Sequence, residues 1–595
     1  MRFEHRSGGS GTFEWCQVNA PVGPVDVLCC HDLSGVDASG QRVAMEQVVE
    51  QVCAGFDLAG GSLLRAVLFD LGVGRRPVLF LAVHHLVVDG VSWRILLEDL
   101  DTAYRQAVSG ERVGLDAKTT SFRDWALRLS EHAAAGGLDD EVGYWAGVIG
   151  AADPALPVDR VGVNSVASTR SVSVRLDPEQ TKALLQDVPG VYRTQVNDVL
   201  LAALGVVLAG WTGRERVLVD LEGHGREELF DGVDLSRTVG WFTTMFPVAL
   251  ELTDQRDWET TLKSVKEQLR AVPGRGLGYG ALRYLTQTSG LAGGAAPQVS
   301  FNYLGQFDWP AAGDGLYHQM CGGLDSDISP ETTRTHLLDI VGRVEHKCLE
   351  LSWHYSQELH DDATVAGLAE AMIGALHEVI AHCGRPGVGG RTPSDFPLAG
   401  LDQSVLDRLV GDGRSVEDIY PLTPMQTGMV FHALSQGQQG VYCEQAAFVL
   451  DGVGDVKLLA TAWQQVLDRT PVLRSSVVWD GVTEPVQIVH RRVELPLEYH
   501  DWQQLPTTDR HHEVTRLLTA DRAQGFDLTV APLLRVQLAQ LSNTEVQVVW
   551  TFHHVLLDGW SVFQVLSDVF ACHAALQRHD TTFEPPHRRP FRDYL

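Results

Sequence analysis

The sequence predicts an α/β fold built from α+β lobes, one of which is present twice. A long-range repeat is the first sign. Gly55-Phe56-Asp57-Leu58, followed by His84-His85-Leu86-Val87-Val88-Asp89-Gly90-Val91-Ser92-Trp93, recurs as Gly525-Phe526-Asp527-Leu528 and His553-His554-Val555-Leu556-Leu557-Asp558-Gly559-Trp560-Ser561. The offset is 470 residues at the first element and 469 at the histidines, so a single one-residue length change separates the copies. Ser121-Phe122-Arg123-Asp124-Trp125 then matches Pro590-Phe591-Arg592-Asp593-Tyr594, again at 469, a period far longer than that of solenoid repeats. The second sign is local: each histidine pair follows a β-branched and aromatic run, 77–83 (PVLFLAV) and 546–552 (VQVVWTF), that reads as a buried strand. A short loop comes next, and then Ser92 or Ser561 as the expected helix N-cap. Val562, Val565, Leu566, Val569 and Phe570 share one face of the second of these helices. Third, 171–176 (SVSVRL) alternates as a strand and 197–204 (NDVLLAAL) reads as a buried helix, so a second α/β lobe is expected over about 171–380.

With 595 residues, several cores are needed, since single cores stop growing near about 250–300 residues. The expected lobes of the first unit are 1–160 and 161–384. The Gly- and Pro-rich stretch 384–397 marks a linker, taken as 385–415, and a lobe of a second unit occupies 416–595. The copies are cut differently. Residues 420–474 precede the second repeat, whereas Met1-Arg2-Phe3 aligns just after Arg474, so roughly the first 55 residues of a full unit are missing from the first copy. The second copy stops just after its Phe-Arg-Asp element. The chain is therefore expected to be a piece of a longer protein, with Met1 an internal methionine, and the missing start is expected to expose a sheet edge.

Composition narrows the classes of function. An apolar content of 44% suits folded cores, while a formal charge of −29 opposes nucleic acid and anionic membranes as partners. The nine cysteines form no CxxC pair, which fits a reduced compartment. Without a signal-like start or a run of about 18 apolar residues, a cytoplasmic location is expected.

The recurring HHxxxDG element is the candidate chemistry. Histidine exchanges protons near neutral pH, and two neighbours point different ways, so His85 and His554 are expected to face substrate while His84 and His553 pack. The following helix N-terminus would favour negative charge developing near the imidazole. Asp89 and Asp558 either act as bases or pair with an arginine that shapes the loop; the structural role is favoured. HHxxxD lacks the HExxH spacing and no other His/Cys cluster completes a site, so no metal is expected. His511-His512, in a polar helical stretch, reads as solvated. Leu58-Ala59-Gly60-Gly61-Ser62-Leu63 is superficially like the serine motif of a carrier protein, but it aligns with Leu528-Thr529-Val530-Ala531-Pro532-Leu533 and belongs to the lobe.

These motifs resemble those of nonribosomal peptide synthetases, whose condensation and epimerization domains share HHxxxDG on a fold similar to chloramphenicol acetyltransferase. In the first copy Ser92-Trp93 after Asp89-Gly90 looks like the epimerization variant. Five further segments follow in the family's order: 198–203, Glu222-Gly223-His224-Gly225-Arg226-Glu227, 237–248, 276–280 and 301–308. The resemblance implies two-layer α+β sandwich lobes, two in an epimerization unit and one from the next condensation unit. It also implies inversion at the α-carbon of a thioester, for which acid/base groups should approach from opposite faces; His85 and Glu222 fit. Asn302 and Tyr303 resemble residues lining the family's channel, and His224 and Arg226 share the Glu222 motif. No pyridoxal site is marked, so the chain itself binds no cofactor and phosphopantetheine arrives on a separate peptidyl carrier protein. In the second unit, 420–426 and 469–475 resemble the opening condensation motifs, with Thr470 in place of the usual histidine. His553, His554, Asp558 and Gly559 match the third, which implies that His554 assists attack of an amine on a D-configured donor. Lacking a C-terminal lobe, this unit is expected to form no peptide bond by itself. The competing readings are an inactive platform that recruits carriers and adjoining synthetase modules, and a stand-alone acyltransferase using coenzyme A thioesters. The first is disfavoured by the intact histidine pairs and Glu222, the second by the epimerization motifs.

Overall fold

The computed structural model describes residues 2–7, 13–19, 26–61, 63–150, 153–252, 257–286, 291, 296–306, 316–317, 328–436, 440–580, 582–584 and 586–595. Ser62, and Phe307 and Asp308 at the end of the 301–308 motif, lie outside them. Two compact units result: Met1–Leu185, Asn197–Arg256 and Ser264–Val379 form the first, and Gln186–Val196, Asp257–Lys263 and Ile380–Leu595 the second.

The first unit opens with an antiparallel pair, β1 (Arg2–Ser7) and β2 (Phe13–Val18). A three-stranded sheet follows, in which β4 (Leu64–Asp70) lies between β3 (Leu28–Asp32), parallel to it, and β5 (Val78–Val83), antiparallel. Helix Ala38–Ala54 turns Val49 toward Val67 and Phe69 to form a small core. The larger sheet has six strands in the order β6-β11-β10-β9-β7-β8, where β6 is Thr169–Arg175, β7 Arg216–Gly223, β8 Thr244–Glu251, β9 Val299–Gln306, β10 Leu338–Glu345 and β11 Cys348–Ser356. Its three central strands, β7, β9 and β10, run parallel. A parallel sheet needs both faces covered, and helix Val196–Thr212, apolar all round and buried from Asp198 to Gly205, supplies one such layer. Helix Asp362–Cys383 is long and apolar enough to cross a membrane by length and composition. Its buried Val365, Ala369, Met372, Leu376 and Val379 recur at helical spacing on one face, the pattern of a helix laid on a protein core.

In the second unit, a four-stranded sheet runs β13 (Cys443–Leu450), β18 (Val546–His553), β17 (Leu534–Gln540), β16 (Leu497–Asp501). A three-stranded sheet runs β12 (Val416–Pro421), β15 (Val486–His490), β14 (Ser475–Val478). Trp463, Leu467, Val548, Trp550, Val565 and Val569 sit in its main core.

The alignment of the two copies holds at atomic detail. Phe3 N donates to Leu58 O at 2.7 Å, and Val477 N donates to Leu528 O at 2.7 Å, so the Gly-Phe-Asp-Leu element holds the same strand in both. The strands bearing the histidines differ in cover. β18 is paired on both sides, by β13 and β17, and all eight of its residues are buried. Among the described residues β5 pairs only with β4, and none of its six residues is buried.

Two expectations need correction. The helices Gly90–Val108 and Gly559–Gln577 are capped by Asp89 and Asp558, whose carboxylates accept from Ser92 N (2.7 Å) and Ser561 N (2.8 Å). The serines stand three residues inside. An extended aspartate directly before the first helical residue offers a charged acceptor, which outcompetes a hydroxyl. The 385–415 linker is a packed element. It contains helix Gln403–Val410, and Phe396, Leu406 and Val410 share a core with Val416 and Ile419 of β12 and Val486 and Ile488 of β15. Its glycines and prolines break regular structure, but the apolar residues between them still find a sheet to cover.

Candidate functional site

β5 ends at Val83, and the chain leaves it through the short turn His85–Val87, so that the two histidines diverge. His84 Nδ1 accepts from Leu86 N (3.2 Å), and the ring of Phe56 meets it edge-on at 5.9 Å. His85 is exposed, its imidazole 5.3 Å from the ring of Trp241, which is itself partly open to solvent. Trp93 lies in the first turn of the next helix, where its N–H bonds Asp89 O.

Asp89 is engaged on every side. Besides capping its helix, it receives Arg226 Nη2 on both carboxylate oxygens (3.0 Å each) and Phe242 N on Oδ2 (3.1 Å). Arg226 also donates to Ser92 Oγ (3.0 Å) and to the carbonyls of Leu235 (2.8 Å) and Thr238 (2.7 Å), with its guanidinium 4.1 Å from the ring centre of Phe242. Ser92 Oγ completes the knot by donating to Gly240 O at 2.9 Å. The carboxylate is therefore a joint between the start of the histidine helix and the 226–242 segment. It also occupies the Ser92 amide, one of the N–H groups of the helix N-terminus. Gly225 allows the tight turn that delivers Arg226: its φ is +66°, and a Cβ there would collide with Phe242 O.

Glu222 lies near the end of β7 with Asn302, on β9, donating to its Oε2 at 2.5 Å. The carboxyl keeps contact with solvent, yet the protein crowded around it raises its pKa above the usual range; His85 and His336 pull the other way and Asp339 adds to the rise. That His85 influences it places the two groups within electrostatic reach. Tyr303, half-buried, has its phenol pushed up by burial. His224 turns aside, its Nδ1 accepting from Arg226 N (3.0 Å) and its Nε2 lying 3.3 Å from Glu227. Of the groups marked in the sequence, Glu222 and Asn302 meet and His85 acts on the carboxyl electrostatically, while Asp89, Ser92 and Arg226 form a joint of their own. Sequence reasoning passed over three contributors: Trp241, which lay in a motif but was given no role, and Asp220 and His336, which no motif marked.

In the second unit His553 is buried, with Nδ1 accepting from Val555 N (3.1 Å) and Phe526 edge-on at 6.4 Å, the same support that Phe56 gives His84. His554 bonds Leu557 O through Nδ1 (2.7 Å), which fixes the proton there and leaves Nε2 as the basic nitrogen. Asp558 and Gly559 are exposed, and the Asp558 carboxyl is held below the usual range by Ser561. His511 and His512 are exposed on helix Thr507–Gln524.

Burial, aided by its neighbour His554, pushes His553 down to about 4 from an ordinary 6.5. A base depressed in the folded state binds its proton more readily when unfolded. The stabilisation is complete above about pH 6.5 and lost as pH falls toward about 4, in total about 3 kcal/mol. Melting temperature followed from pH 7 to pH 4 should therefore fall more steeply for the wild-type chain than for His553→Phe; parallel curves would contradict a neutral buried His553.

Residues 2–396 and 416–595 match the condensation-domain family. Two subunits of the linear gramicidin synthase of Brevibacillus parabrevis are similar to this chain, one 44% identical over 92% of it and the other 41% identical over all of it. The chain spans only 7% and 11% of those two relatives. Among solved structures, the epimerization domain from the third module of tyrocidine synthetase B is 36% identical, with a TM-score of 0.58 over 64% of this chain and 85% of that one.

Proposed function

Because the chain belongs to the condensation-domain family, we propose that its first unit epimerizes the α-carbon of an aminoacyl or peptidyl thioester within a nonribosomal peptide synthetase. The substrate is tethered through phosphopantetheine to a peptidyl carrier protein. The unit works alongside adjoining modules in the cytoplasm, and the reaction needs no cofactor from this chain. The observation that supports the reading is that an exposed imidazole, His85, lies close enough to act electrostatically on Glu222, a carboxyl of raised pKa contributed by a different sheet. Likeness to a solved epimerization domain at 36% identity supports it.

A proton on the α-carbon of a thioester is weakly acidic, and inversion requires its removal from one face and return to the other. His85 and Glu222 serve as the two proton carriers. Asn302, bonded to Glu222 Oε2, fixes the carboxyl's orientation. A carboxyl of raised pKa is a stronger base than an ordinary one, which suits abstraction from carbon. In the second unit His554, with Nε2 free, acts as the base for an acceptor amine attacking a D-configured donor thioester.

The test is a carrier loaded with L-aminoacyl or L-peptidyl phosphopantetheine, mixed with this chain in deuterated buffer. Deuterium incorporation at the α-carbon together with D-isomer formation is the expected result. A folded chain that binds the loaded carrier and gives neither would favour a recruiting platform.

A further inference from the structure

Behind Glu222 lies a buried charge cluster on the same face of the six-stranded sheet. The parallel register sets Asp220 and Asp339 beside Ser300, and Val341 beside Asn302, so Glu222 stands two residues along β7 from a row bearing two carboxylates. Residues two apart on a strand are about 7 Å apart. His336, 4% exposed, reaches into that row with both ring nitrogens: Nε2 lies 2.8 Å from Asp220 Oδ2 and Nδ1 lies 3.2 Å from Asp339 Oδ1. A neutral imidazole has one N–H and one lone pair, so it could satisfy only one of these carboxylates and would turn its lone pair on the other. Two carboxylate partners therefore require the imidazolium.

We propose that the His336 imidazolium, locked between Asp220 and Asp339, is a positioning residue that keeps Glu222 ionised as a proton acceptor. This rests on the reading of Glu222 as one of the two proton carriers. Without the cation, the row would hold two carboxylates against a single guanidinium, Arg334, which binds Asp339 Oδ2 at 2.6 Å. The excess negative charge would press on Glu222. With the cation, Asp220, Asp339, His336 and Arg334 balance. The other groups facing the cluster are Ser300, donating to Asp339 (2.6 Å), Asn164, which holds the carbonyls of Arg334 and His336, and His354, whose pKa is lowered by burial. Tyr279 and Arg283 act on Asp220 from helix Leu277–Tyr284, and His85 acts electrostatically on Glu222. Consistent with the geometry, burial alone would lower His336, but its two carboxylates raise it to about 9.

The experiment compares the pH profile of α-proton exchange in the wild-type chain, His336→Gln and Glu222→Gln. In His336→Gln the acid limb should move up by about one pH unit, roughly a tenfold loss at pH values below it, with the high-pH plateau kept. An unmoved limb, or a uniform loss at every pH, overturns the proposal. Glu222→Gln separates it from the reading beneath: retained inversion there removes the role of Glu222 itself, whereas loss there with an unmoved His336→Gln limb removes only the role of His336. Should His336→Gln fail to fold, ¹⁵N-histidine spectra of the wild-type chain decide. Both ring nitrogens of His336 protonated through pH 8 is the expected result, and a neutral ring at pH 7 overturns it.

Discussion

Replacing Arg226 by methionine is expected to destabilise the first unit by about 3–5 kcal/mol and to abolish epimerization. The arginine side chain is 7% exposed and Asp89 3%. Removing the guanidinium leaves a buried carboxylate with only backbone amides, and two carbonyls, those of Leu235 and Thr238, without their donor. The effect on activity follows from what the joint connects. Asp89 lies four residues beyond His85, and Arg226 four beyond Glu222, so loss of the pair frees the two segments that present the proposed proton carriers. Lysine at the same position keeps the charge but cannot span both carboxylate oxygens, Ser92 Oγ and two carbonyls with one ammonium, so Arg226→Lys should recover only part of the stability. Adding Asp89→Asn to Arg226→Met removes the stranded charge and should restore some stability but not activity. Denaturant unfolding of the four chains measures this; a cost below about 1 kcal/mol for Arg226→Met would mean that the joint is not what holds the loops.

The second large effect concerns the proton carriers. His85→Ala and Glu222→Gln are each expected to lower inversion by about 10²–10⁴-fold, the usual worth of a positioned acid or base, with little change in melting temperature because both side chains reach solvent. Following deuterium uptake separately from L-loaded and D-loaded carriers assigns the face each group serves. Inversion at the wild-type rate in either variant would remove that residue from the chemistry.

Much of this was legible in the chain. The strands at 78–83, 169–175 and 546–553 and the helix at 196–212 lie where alternation and apolar runs placed them, because those patterns report which face is buried. The HHxxxDG repeat located both histidine turns, since the turn and its capping aspartate are formed by neighbours in sequence. Local pattern was a poorer guide where two groups compete for one role. Serine was read as the cap, and the aspartate three residues earlier takes it. Gly and Pro at 384–397 suggested only a connection, although Phe396 and Leu406 are core residues.

The amino-acid sequence by itself determined the two repeated lobes, the turns that present His85 and His554, and the residue types available for acid–base work. Tertiary structure alone decided which of those groups act on one another. Arg226 meets Asp89 across 137 residues, and His336 meets Asp220 across 116. Such pairs depend on the register between parallel strands and on loops meeting from separate sheets, and a side chain's charge carries no local signal of the partner that will balance it once water is excluded.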